Sequence, residues 1–492
     1  MDYLRATDFP SAAPALQLDG GVSVTGLDHP LRALLFADDV VLVARSRDGL
    51  QALLTRMRFF CAHWQLELNV SKTKAMRLQQ PRPAPTRLPR LRNEASVLRR
   101  RAIADRAAAA AVEPQAVKYA NEQLEWVDEY KYLGLIFTRD KGFRGCVHQA
   151  GSRMYKALGR ITWLVSMNNE LGASVDLQQR LFDTLALPSG DYGCLAWCLP
   201  LLPPVQHAAS GTPRAAPNPV ERAHLTFLRR LLRAPESTPL PALYRETRRR
   251  PWTVRWAAAV VRFWNGAVGA QRTATNLTPA VLDANLALRR AGVSCWTSEL
   301  HTFAASLGPE HANALERRQP LNDGAITTAL YEQYDRAWSN LGDPRLPSTA
   351  HRPLATYKHW FWAEDELHEE RRTYLHVAAV PHRIVIRVAN FRFGHRCLRV
   401  NQRYTSDNIP FASRTCTRCT SGAIDDAAHL LLECTGADLP HIRSRFGALL
   451  RAIPTHADIA AKIRSLFSTH NQASMALFVS DCMHQTALVA GP

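Results

Sequence analysis

The sequence predicts an α+β fold at its N-terminus, followed by a mostly helical chain. Two short apolar runs, 34–36 and 40–44, flank an Asp-Asp pair, as the strands of a β-hairpin do. Apolar residues then recur at helical spacing between Asp48 and Trp64. Helical periodicity dominates from Val147 onward. Together these three patterns favour a small β-rich unit that precedes a larger helical part.

Further elements follow from alternation and from breaks in the pattern. Apolar and polar residues alternate over 66–78 and 129–138, which predicts strands there. Stretches rich in Pro, Arg or Ala interrupt the globular pattern and indicate an inserted loop and two linkers. The interruptions are 79–114, 202–220 and 342–354. Helical patterns cover 147–187, 219–232, 253–270 and much of 277–339.

The charge of the chain favours a polyanionic partner. Its 492 residues contain 61 Lys and Arg against 43 Asp and Glu, which gives a net charge of +18 at pH 7. Cations cluster between Arg82 and Arg106 and between Glu221 and Arg262. Lys and Arg that contact phosphates gain affinity by releasing counterions. A generally Arg-rich proteome is the alternative source of the charge, and no long apolar helix accompanies the clusters to favour a membrane.

Cysteine content and hydropathy indicate the compartment. Ten cysteines in a chain of this length are too sparse for a disulfide scaffold. No apolar run reaches the roughly 18 residues that span a bilayer, and the first ten residues do not resemble a signal peptide. We therefore expect an intracellular protein with reduced thiols, in the nucleus or the cytoplasm. The sequence does not indicate an oligomeric state.

The Asp pair at Asp38 and Asp39 is a candidate metal site. A hairpin that displays two carboxylates at its tip offers the hard oxygen ligands that magnesium prefers. Polymerases use such a pair with two metal ions to activate a primer hydroxyl and to stabilise the leaving pyrophosphate. The alternative is an ordinary hairpin in which the two Asp residues only form the turn.

The stretch LLFADDVVLVARS resembles the "[FY]ADD" signature of reverse transcriptases, which are RNA-directed DNA polymerases. The next blocks resemble the same family in the same order. An "LN..KT" element lies at 68–73, and a "YLG" hairpin lies at 132–134. The helical region beyond is similar to the thumb of non-LTR (LINE-type) retrotransposon proteins. The resemblance extends over roughly 31–262.

The resemblance implies roles for four residues. Asp38 and Asp39 match the magnesium-binding pair, and Phe36 matches the aromatic residue that packs beside the primer terminus. Lys72 matches a basic residue after the hairpin that could aid proton transfer to pyrophosphate. A solvated lysine at the end of a strand is the alternative for Lys72. The implied partners are RNA and DNA as template and primer.

The resemblance also implies a third carboxylate, on an earlier palm strand, together with fingers elements. Only 37 residues precede Asp38, and they do not resemble that strand. The acidic residues there are Asp2, Asp8, Asp19 and Asp28. We therefore expect the chain to be a truncated enzyme that is inactive alone, because a two-metal site with two carboxylates holds its ions weakly.

A cluster of Cys and His lies near the C-terminus. Cys416, Cys419, His429 and Cys434 have the spacing Cys-x2-Cys-x9-His-x4-Cys, which suits tetrahedral zinc. Because His429 and Cys434 are five residues apart, their helix must bend to aim both at one ion. Coincidence among ten cysteines is the alternative. The cluster also resembles the Cys-Cys-His-Cys motif at the C-terminus of LINE-type proteins.

The segment before this cluster, 382–404, is basic and contains interleaved aromatic residues. It could place Arg on phosphates and Phe391, Phe393 and Tyr404 on bases. An amphipathic core helix is the alternative. Cys194 and Cys198 lack nearby His partners and are expected to be buried thiols. No role is assigned to the remaining scattered histidines, His351, His359, His376 and His382.

The predicted organisation combines these observations. It comprises a partial palm at 1–140 with a disordered insertion at 79–114, a helical thumb-like region at 141–270, a helical connector at 271–380, a basic segment with a zinc-binding module at 381–450, and a C-terminal tail at 451–492. The predicted function is a LINE-type reverse transcriptase that binds nucleic acid. A non-catalytic nucleic-acid-binding protein that uses the thumb and the zinc module is the alternative, and a relic without function is a third possibility.

Overall fold

The structure is a computed structural model, and its described residues fall into two compact units. It describes residues 21–23, 30–78, 116–139, 142–167, 174–202, 218–236, 238–271, 276–330, 355–362, 373–377, 380–394, 398–401 and 410–489. The first unit contains the described parts of Met1–Cys146, Leu195–Gln206 and Ala257–Asp323. The second contains those of Val147–Cys194, His207–Trp256 and Gly324–Pro492. The predicted insertion at 79–114 and the linker at 342–354 lie outside the described residues, as does most of the linker at 202–220.

The first unit begins with a β-hairpin. Strand β1 (Ala33–Phe36) pairs antiparallel with β2 (Asp39–Leu42), and Phe36 lies opposite Asp39 across a two-residue turn. Ala37 in that turn has a φ of 51°, a left-handed conformation that costs an L-residue about 1–2 kcal/mol. The β-branched Val40 and Val41 favour the extended conformation on the far side. The two predicted strands are confirmed, each beginning one residue earlier than expected.

Helix α1 (Arg47–His63) follows directly and confirms the helix predicted there. The Ser46 hydroxyl accepts a hydrogen bond from the Gly49 N–H at 3.1 Å and caps the N-terminus. Leu54 on the buried face packs with Val117 and Leu124 in the core of this unit. Burial of such a leucine is worth about 1.5–3 kcal/mol, so the apolar stripe is what fixes the helix on the sheet.

A three-stranded sheet packs against α1. It is formed by β3 (Lys74–Ala75), β4 (Val117–Tyr119) and β5 (Glu122–Trp126), in the order β3-β5-β4. The Gln51 side chain of α1 donates to the Lys118 carbonyl oxygen at 2.7 Å and accepts from the Lys118 N–H at 2.8 Å. The amide therefore substitutes for a neighbouring strand at the outer edge of β4.

The strand predicted over 66–78 is wrong for most of its length. Only Lys74 and Ala75 are extended in a sheet, because a turn precedes them. The Asn69 side-chain oxygen accepts from the Lys72 N–H at 3.1 Å and from the Ser71 hydroxyl at 2.7 Å. Asn that bonds its own following backbone competes with the strand ladder, and periodicity does not detect this competition.

The alternating segment 129–138 is a hairpin rather than one strand. Strand β6 (Glu129–Tyr132) pairs antiparallel with β7 (Leu135–Thr138). Leu133 and Gly134 form its two-residue turn with φ values of 47° and 79°. Positive φ at both central residues is the pattern of a type I′ turn, which matches the twist of a hairpin. The hairpin agrees with the one implied by the resemblance at "YLG".

The rest of the described chain is mainly helical, as the periodicity predicts. The helices are α2 (Cys146–Met167), α3 (Val175–Leu185), α4 (Leu187–Asp191), α5 (Pro219–Leu232), α6 (Leu240–Thr247), α7 (Trp252–Gly269), α8 (Thr278–Arg290), α9 (Trp296–Leu307), α10 (Pro309–Glu316), α11 over 323–330, α12 (His382–Arg392), α13 (Leu439–Arg445), α14 (Gly447–Arg451), α15 (Ile459–Phe467) and α16 (Gln472–Val489). None of the described helices is long and apolar enough to cross a membrane.

The core of the second unit contains a buried ion pair. Glu246 on α6 and Arg392 on α12 approach to 3.3 Å, and each side chain is almost fully buried. The Tyr357 hydroxyl donates to Glu246 at 2.6 Å, and the Tyr374 hydroxyl donates to its other carboxylate oxygen. Burial and the Glu246 charge raise the pKa of both phenols well above the ordinary value. The neutral phenols therefore act as donors that satisfy the buried carboxylate.

Helix α12 carries the basic segment that the sequence offered as a base-stacking surface. Phe391, Arg392 and Phe393 are all buried, so their side chains are not available to bases or phosphates. The core-helix alternative is therefore the one that the structure supports. Tyr404 lies outside the described residues. Helix α16 packs against α12 and α13, which places the described part of 451–492 in contact with this core.

Candidate functional site

The first candidate site is the tip of the β1–β2 hairpin. Asp38 lies in the turn and Asp39 begins β2, and both side chains are exposed. Phe36 at the end of β1 is 62% exposed. Exposure removes the desolvation penalty that two adjacent charges would otherwise carry. The pair therefore presents hard oxygen donors to solvent, where a divalent cation or a nucleic-acid backbone with its cations could reach them.

The β6–β7 hairpin lies near this tip and also contacts the Asn69 turn. Burial and the nearby Asp39 carboxylate raise the pKa of the Tyr132 phenol. The Tyr130 hydroxyl donates to the Lys72 carbonyl oxygen at 3.4 Å. Lys72 itself is exposed, and Asn69 fixes its backbone as described above. The β6–β7 hairpin, which carries "YLG", therefore contacts the "LN..KT" element through Tyr130, and its Tyr132 lies near Asp39.

No third acidic ligand joins the Asp pair in the described part of the chain. The only group of three or more His, Cys, Asp or Glu residues there that could hold a metal ion is the Cys–His cluster near the C-terminus. The four earlier acids, Asp2, Asp8, Asp19 and Asp28, lie outside the described residues. Two carboxylates alone leave most coordination positions of a magnesium ion to water.

The second candidate site is the Cys–His cluster, whose four ligand atoms the structure brings together. The Cys416, Cys419 and Cys434 sulfurs and a His429 nitrogen all lie within 4.8 Å of one another. The Cys416 and Cys434 sulfurs are 3.7 Å apart, and the Cys419 sulfur lies 3.3 Å from His429 Nε2. A tetrahedral zinc ion has sulfur–sulfur edges of about 3.8 Å and sulfur–nitrogen edges of about 3.6 Å. Three thiols and one imidazole at these separations fit such an ion.

Local backbone structure explains how the four residues converge. A short antiparallel bridge between Thr415 and Ile424 folds the Cys-x2-Cys segment back on itself. Asp426 then accepts from the His429 N–H at 2.8 Å and caps the helix that carries the histidine. That helix continues as a π-helical turn over His429–Glu433 and ends at Cys434. The sequence predicted that the helix must bend to aim both His429 and Cys434 at one ion. The structure accommodates their separation with a wider helical turn.

The electrostatics within the cluster differ from thiol to thiol. Burial raises the pKa of the Cys416 thiol to about 11. Hydrogen bonds from Ser421 lower the pKa of the Cys419 thiol to about 6. His429 Nδ1 is buried without a hydrogen-bond partner, and it lies 3.7 Å from a Glu433 carboxylate oxygen. A metal-bound histidine usually has a carboxylate or carbonyl oxygen beside the ring nitrogen that does not bind the metal.

Sequence reasoning missed two residues inside this module. Arg418 and Asp425 form an ion pair with side chains that are 5% and 2% exposed. Both lie between the predicted ligands, where charged residues are normally taken to be solvated. The available signal was their position: Arg418 lies between Cys416 and Cys419, and Asp425 lies four residues before His429. Charged residues on an ordinary surface loop can occupy the same positions, so position alone does not predict that these two side chains are buried.

The other cysteines and histidines do not form sites in the described residues. Cys194 and Cys198 are buried, as expected for structural thiols. His382 Nε2 lies 2.8 Å from the Leu231 carbonyl oxygen, and His376 Nδ1 lies 3.2 Å from the Thr373 hydroxyl. His351 lies outside the described residues.

Helix α2 carries an exposed face of mixed character. Lys156, Arg160, Trp163 and Met167 follow one another at intervals of three or four residues and are all exposed. Trp163 is 61% exposed and Met167 is 72% exposed, which is unusual for residues of this size. Cationic side chains that flank a protruding indole ring offer both phosphate contacts and a stacking surface.

Comparison with known proteins adds one finding. Residues 23–137 match the family model described as reverse transcriptase (RNA-dependent DNA polymerase). The match contains Phe36, Asp38, Asp39 and Lys72 and ends within β7. It supports a reverse transcriptase domain in this segment, and that family acts on RNA and DNA templates. No curated protein and no solved structure matches the chain.

Proposed function

We propose that the β1–β2 hairpin is the metal-binding hairpin of an RNA-directed DNA polymerase of the LINE type. The observation that carries the proposal is the exposure of Asp38 and Asp39 at the hairpin tip, within a segment that matches the reverse transcriptase model. Magnesium held there would supply the Lewis acidity that nucleotide transfer requires. In this proposal Asp38 and Asp39 hold the ion, and no described residue completes its coordination.

Phe36 and Lys72 take supporting roles in this proposal. Phe36 is exposed beside the Asp pair, so its ring is available to pack against a primer terminus. Lys72 is held on the Asn69 turn, which the Tyr130 hydroxyl contacts. An exposed ammonium on a fixed turn suits proton donation to a leaving pyrophosphate.

We propose further that the 492-residue chain does not polymerise by itself. A two-metal site needs carboxylates from more than one strand, and the described residues supply two adjacent ones. Their ion would therefore bind weakly and exchange rapidly. The acids that precede the hairpin, Asp2, Asp8, Asp19 and Asp28, lie outside the described residues.

Titration with Mn²⁺ as a magnesium substitute, followed by electron paramagnetic resonance, tests the hairpin directly. We expect one weak site that disappears in the double variant Asp38→Asn, Asp39→Asn. Asp48→Asn is the control, because Asp48 is an exposed acid nine residues after Asp39 and forms an ion pair with its neighbour Arg47. Equal Mn²⁺ binding by the double variant and the parent chain would contradict the assignment.

The α2 face supports a nucleic-acid-binding function, which is also the non-catalytic alternative. Lys156 and Arg160 would contact phosphates, and Trp163 would stack on a base or sugar. In fluorescence anisotropy with an RNA–DNA hybrid, we expect Trp163→Ala to weaken binding by about 5- to 150-fold, the equivalent of one lost stacking contact. Lys156→Gln should reduce the salt slope by about one. Leu477→Ala, at another exposed apolar position, is the control.

We propose zinc as the ion of the Cys–His cluster. Three thiols and one imidazole match the donor set of structural zinc, and their distances fit a tetrahedron. The four protein ligands leave no open position, which favours a structural role over a catalytic one. Three thiolates persist only where thiols stay reduced, so the site also supports an intracellular location, in the nucleus or the cytoplasm.

A further inference from the structure

The buried ion pair between Arg418 and Asp425 lies inside the Cys–His module, and neither residue is one of the four proposed metal ligands. Bringing two charges into a protein interior costs several kcal/mol per ion before their attraction is counted. The pair therefore requires an explanation beyond packing, and the surroundings of Arg418 supply one.

Asp425 holds the guanidinium of Arg418 in a fixed place. One Asp425 carboxylate oxygen accepts from Arg418, and the other accepts from the Arg399 N–H at 2.9 Å. The Arg399 side chain in turn donates to the Thr415 carbonyl oxygen at 3.0 Å, next to the first cysteine. Both carboxylate oxygens are thus engaged, so Asp425 cannot move without breaking contacts on two sides.

Arg418 contacts two of the predicted ligands. Its backbone N–H donates to the Cys416 sulfur at 3.3 Å. Its guanidinium interacts electrostatically with the Cys416 and Cys434 side chains. N–H groups aimed at sulfur are most effective when the sulfur carries negative charge, as it does when bound to a metal.

Glycine at position 436 fixes the Arg418 backbone from the other side. A Cβ atom at this position would overlap the Arg418 carbonyl oxygen and carbonyl carbon. Only a glycine allows the two chain segments to approach this closely. The Arg443 guanidinium also donates to the Cys434 carbonyl oxygen, so the segment after the last cysteine is held at its start as well.

The charge of the filled cluster explains the orientation of Arg418. Three thiolates, a neutral imidazole and a divalent ion sum to one negative charge, and the Cys416, His429 and Cys434 side chains are buried. Uncompensated charge in such surroundings is unfavourable. Arg418 is a buried cation beside the cluster, since its backbone N–H contacts the Cys416 sulfur and its guanidinium is held by Asp425.

We propose that Arg418 is a positioning residue that stabilises the metal-bound thiolates of Cys416 and Cys434, and that Asp425 orients it. The inference rests on the proposed zinc site and deepens it. It names the cation that would stabilise a divalent metal bound by three thiolates. It assigns no chemistry to Arg418 other than electrostatic stabilisation and hydrogen bonding to sulfur.

Zinc affinity of the full chain, measured by competition with a chromogenic chelator, tests the proposal. We expect Arg418→Gln to weaken zinc binding by about 10- to 100-fold, the usual effect of removing a partner of a metal ligand. Arg418→Lys keeps the charge and should recover part of that loss. Arg451→Gln changes an exposed arginine outside the cluster and should bind zinc as the parent chain does.

Cobalt substitution provides a readout that a purely structural role would not change. In Arg418→Gln the ligand-field bands should keep their tetrahedral pattern, while the sulfur-to-cobalt charge-transfer band should move to longer wavelength. Loss of the cation raises the energy of the sulfur lone pairs, which explains the direction. Arg418→Lys should show a smaller displacement of the band.

The outcomes separate this inference from the zinc proposal. If the parent chain binds neither zinc nor cobalt, the zinc site itself is wrong. If the parent chain binds zinc and Arg418→Gln binds it equally well with an unchanged charge-transfer band, only the role of Arg418 is overturned. Equal losses in Arg418→Gln and Arg418→Lys would also overturn it, because charge would then not be the cause.

Discussion

The backbone N–H of Cys434 donates to the carbonyl oxygen of His429, and the two atoms are 2.7 Å apart. This bond spans five residues, whereas an α-helical bond spans four. The wider turn places residues that are five positions apart on the same side of the helix. The unusual His-x4-Cys spacing is therefore built into the hydrogen bonding of the turn, and π-helical turns are often found at functional sites.

The Cys–His cluster predicts a zinc content that depends on each ligand. We expect the purified chain to contain one zinc ion, and Cys434→Ser to retain none after dialysis against a chelator, since three ligands hold the ion much less tightly than four. Atomic absorption measures the stoichiometry. Cys482→Ser, at another buried cysteine outside the cluster, should keep its zinc. A zinc content that stays at one in Cys434→Ser would exclude Cys434 as a ligand.

The spacing of Cys416, Cys419, His429 and Cys434 was sufficient to predict this cluster. Ligand spacing is a local property, and the short bridge and the capped turn that close the module are local as well. Arg418 and Asp425 could not be predicted in the same way. Their burial depends on the approach of Gly436 and Arg399, and composition does not reveal such contacts between distant segments.

Elements with a strong apolar stripe were also predictable, as α1 and α5 illustrate. The helix predicted over 219–232 matches α5 (Pro219–Leu232), because its apolar residues and its Asn218 cap give consistent signals. The strand predicted over 66–78 failed because one side chain, Asn69, closes a turn. The sequence could not decide whether Phe391 and Phe393 belong to a core helix or to a base-stacking surface. Aromatic residues occur in cores and on nucleic-acid surfaces alike.

The turn of the carboxylate hairpin predicts a stabilising substitution. Ala37 has a φ of 51°, and glycine adopts this conformation without a steric penalty. We expect Ala37→Gly to raise the free energy of unfolding by about 0.5–1 kcal/mol after the greater flexibility of glycine in the unfolded chain is counted. Urea unfolding measures the change.

Ala33→Gly is the matched control for this prediction. Ala33 lies in β1 of the same hairpin, where the backbone is extended and glycine only adds flexibility. This variant should lose about 0.5–1 kcal/mol. If both glycine variants destabilise the protein, the left-handed conformation of Ala37 does not hold in solution.

The Glu246–Arg392 pair predicts a large loss of stability on removal of one partner. Glu246→Ala leaves a buried guanidinium and two buried phenols without their acceptor, and such a change costs about 3–5 kcal/mol. Thermal unfolding measures the loss. Asp176→Ala removes one partner of the exposed pair Asp176–Arg180 and should cost less than about 1 kcal/mol. Similar losses in both variants would contradict the buried network.

The thiol of Cys482 predicts a pH-dependent reactivity. Burial raises the pKa of Cys482 to about 12, so at pH 8 only about one molecule in ten thousand carries the thiolate that alkylating reagents attack. In the unfolded chain an ordinary cysteine has a pKa of about 8.5 and reacts readily. Mass spectrometry after treatment with iodoacetamide should detect label at Cys482 only after unfolding. As the pH rises from 8 to 10, the rate at which iodoacetamide labels Cys482 in the native protein should increase steeply, because the thiolate fraction increases. Rapid labelling of the native protein at pH 8 would contradict the burial of this thiol.

Primer extension tests the central claim most directly, that the Asp38–Asp39 hairpin belongs to a polymerase domain and that the described residues do not complete its metal site. The 492-residue protein is incubated with an RNA template, a DNA primer, deoxynucleotides and Mg²⁺, in parallel with Asp38→Asn. We expect both proteins to give the same background, because two adjacent carboxylates do not complete a two-metal site. Primer extension by the parent chain that disappears in Asp38→Asn would contradict it, and would show that the metal site is complete.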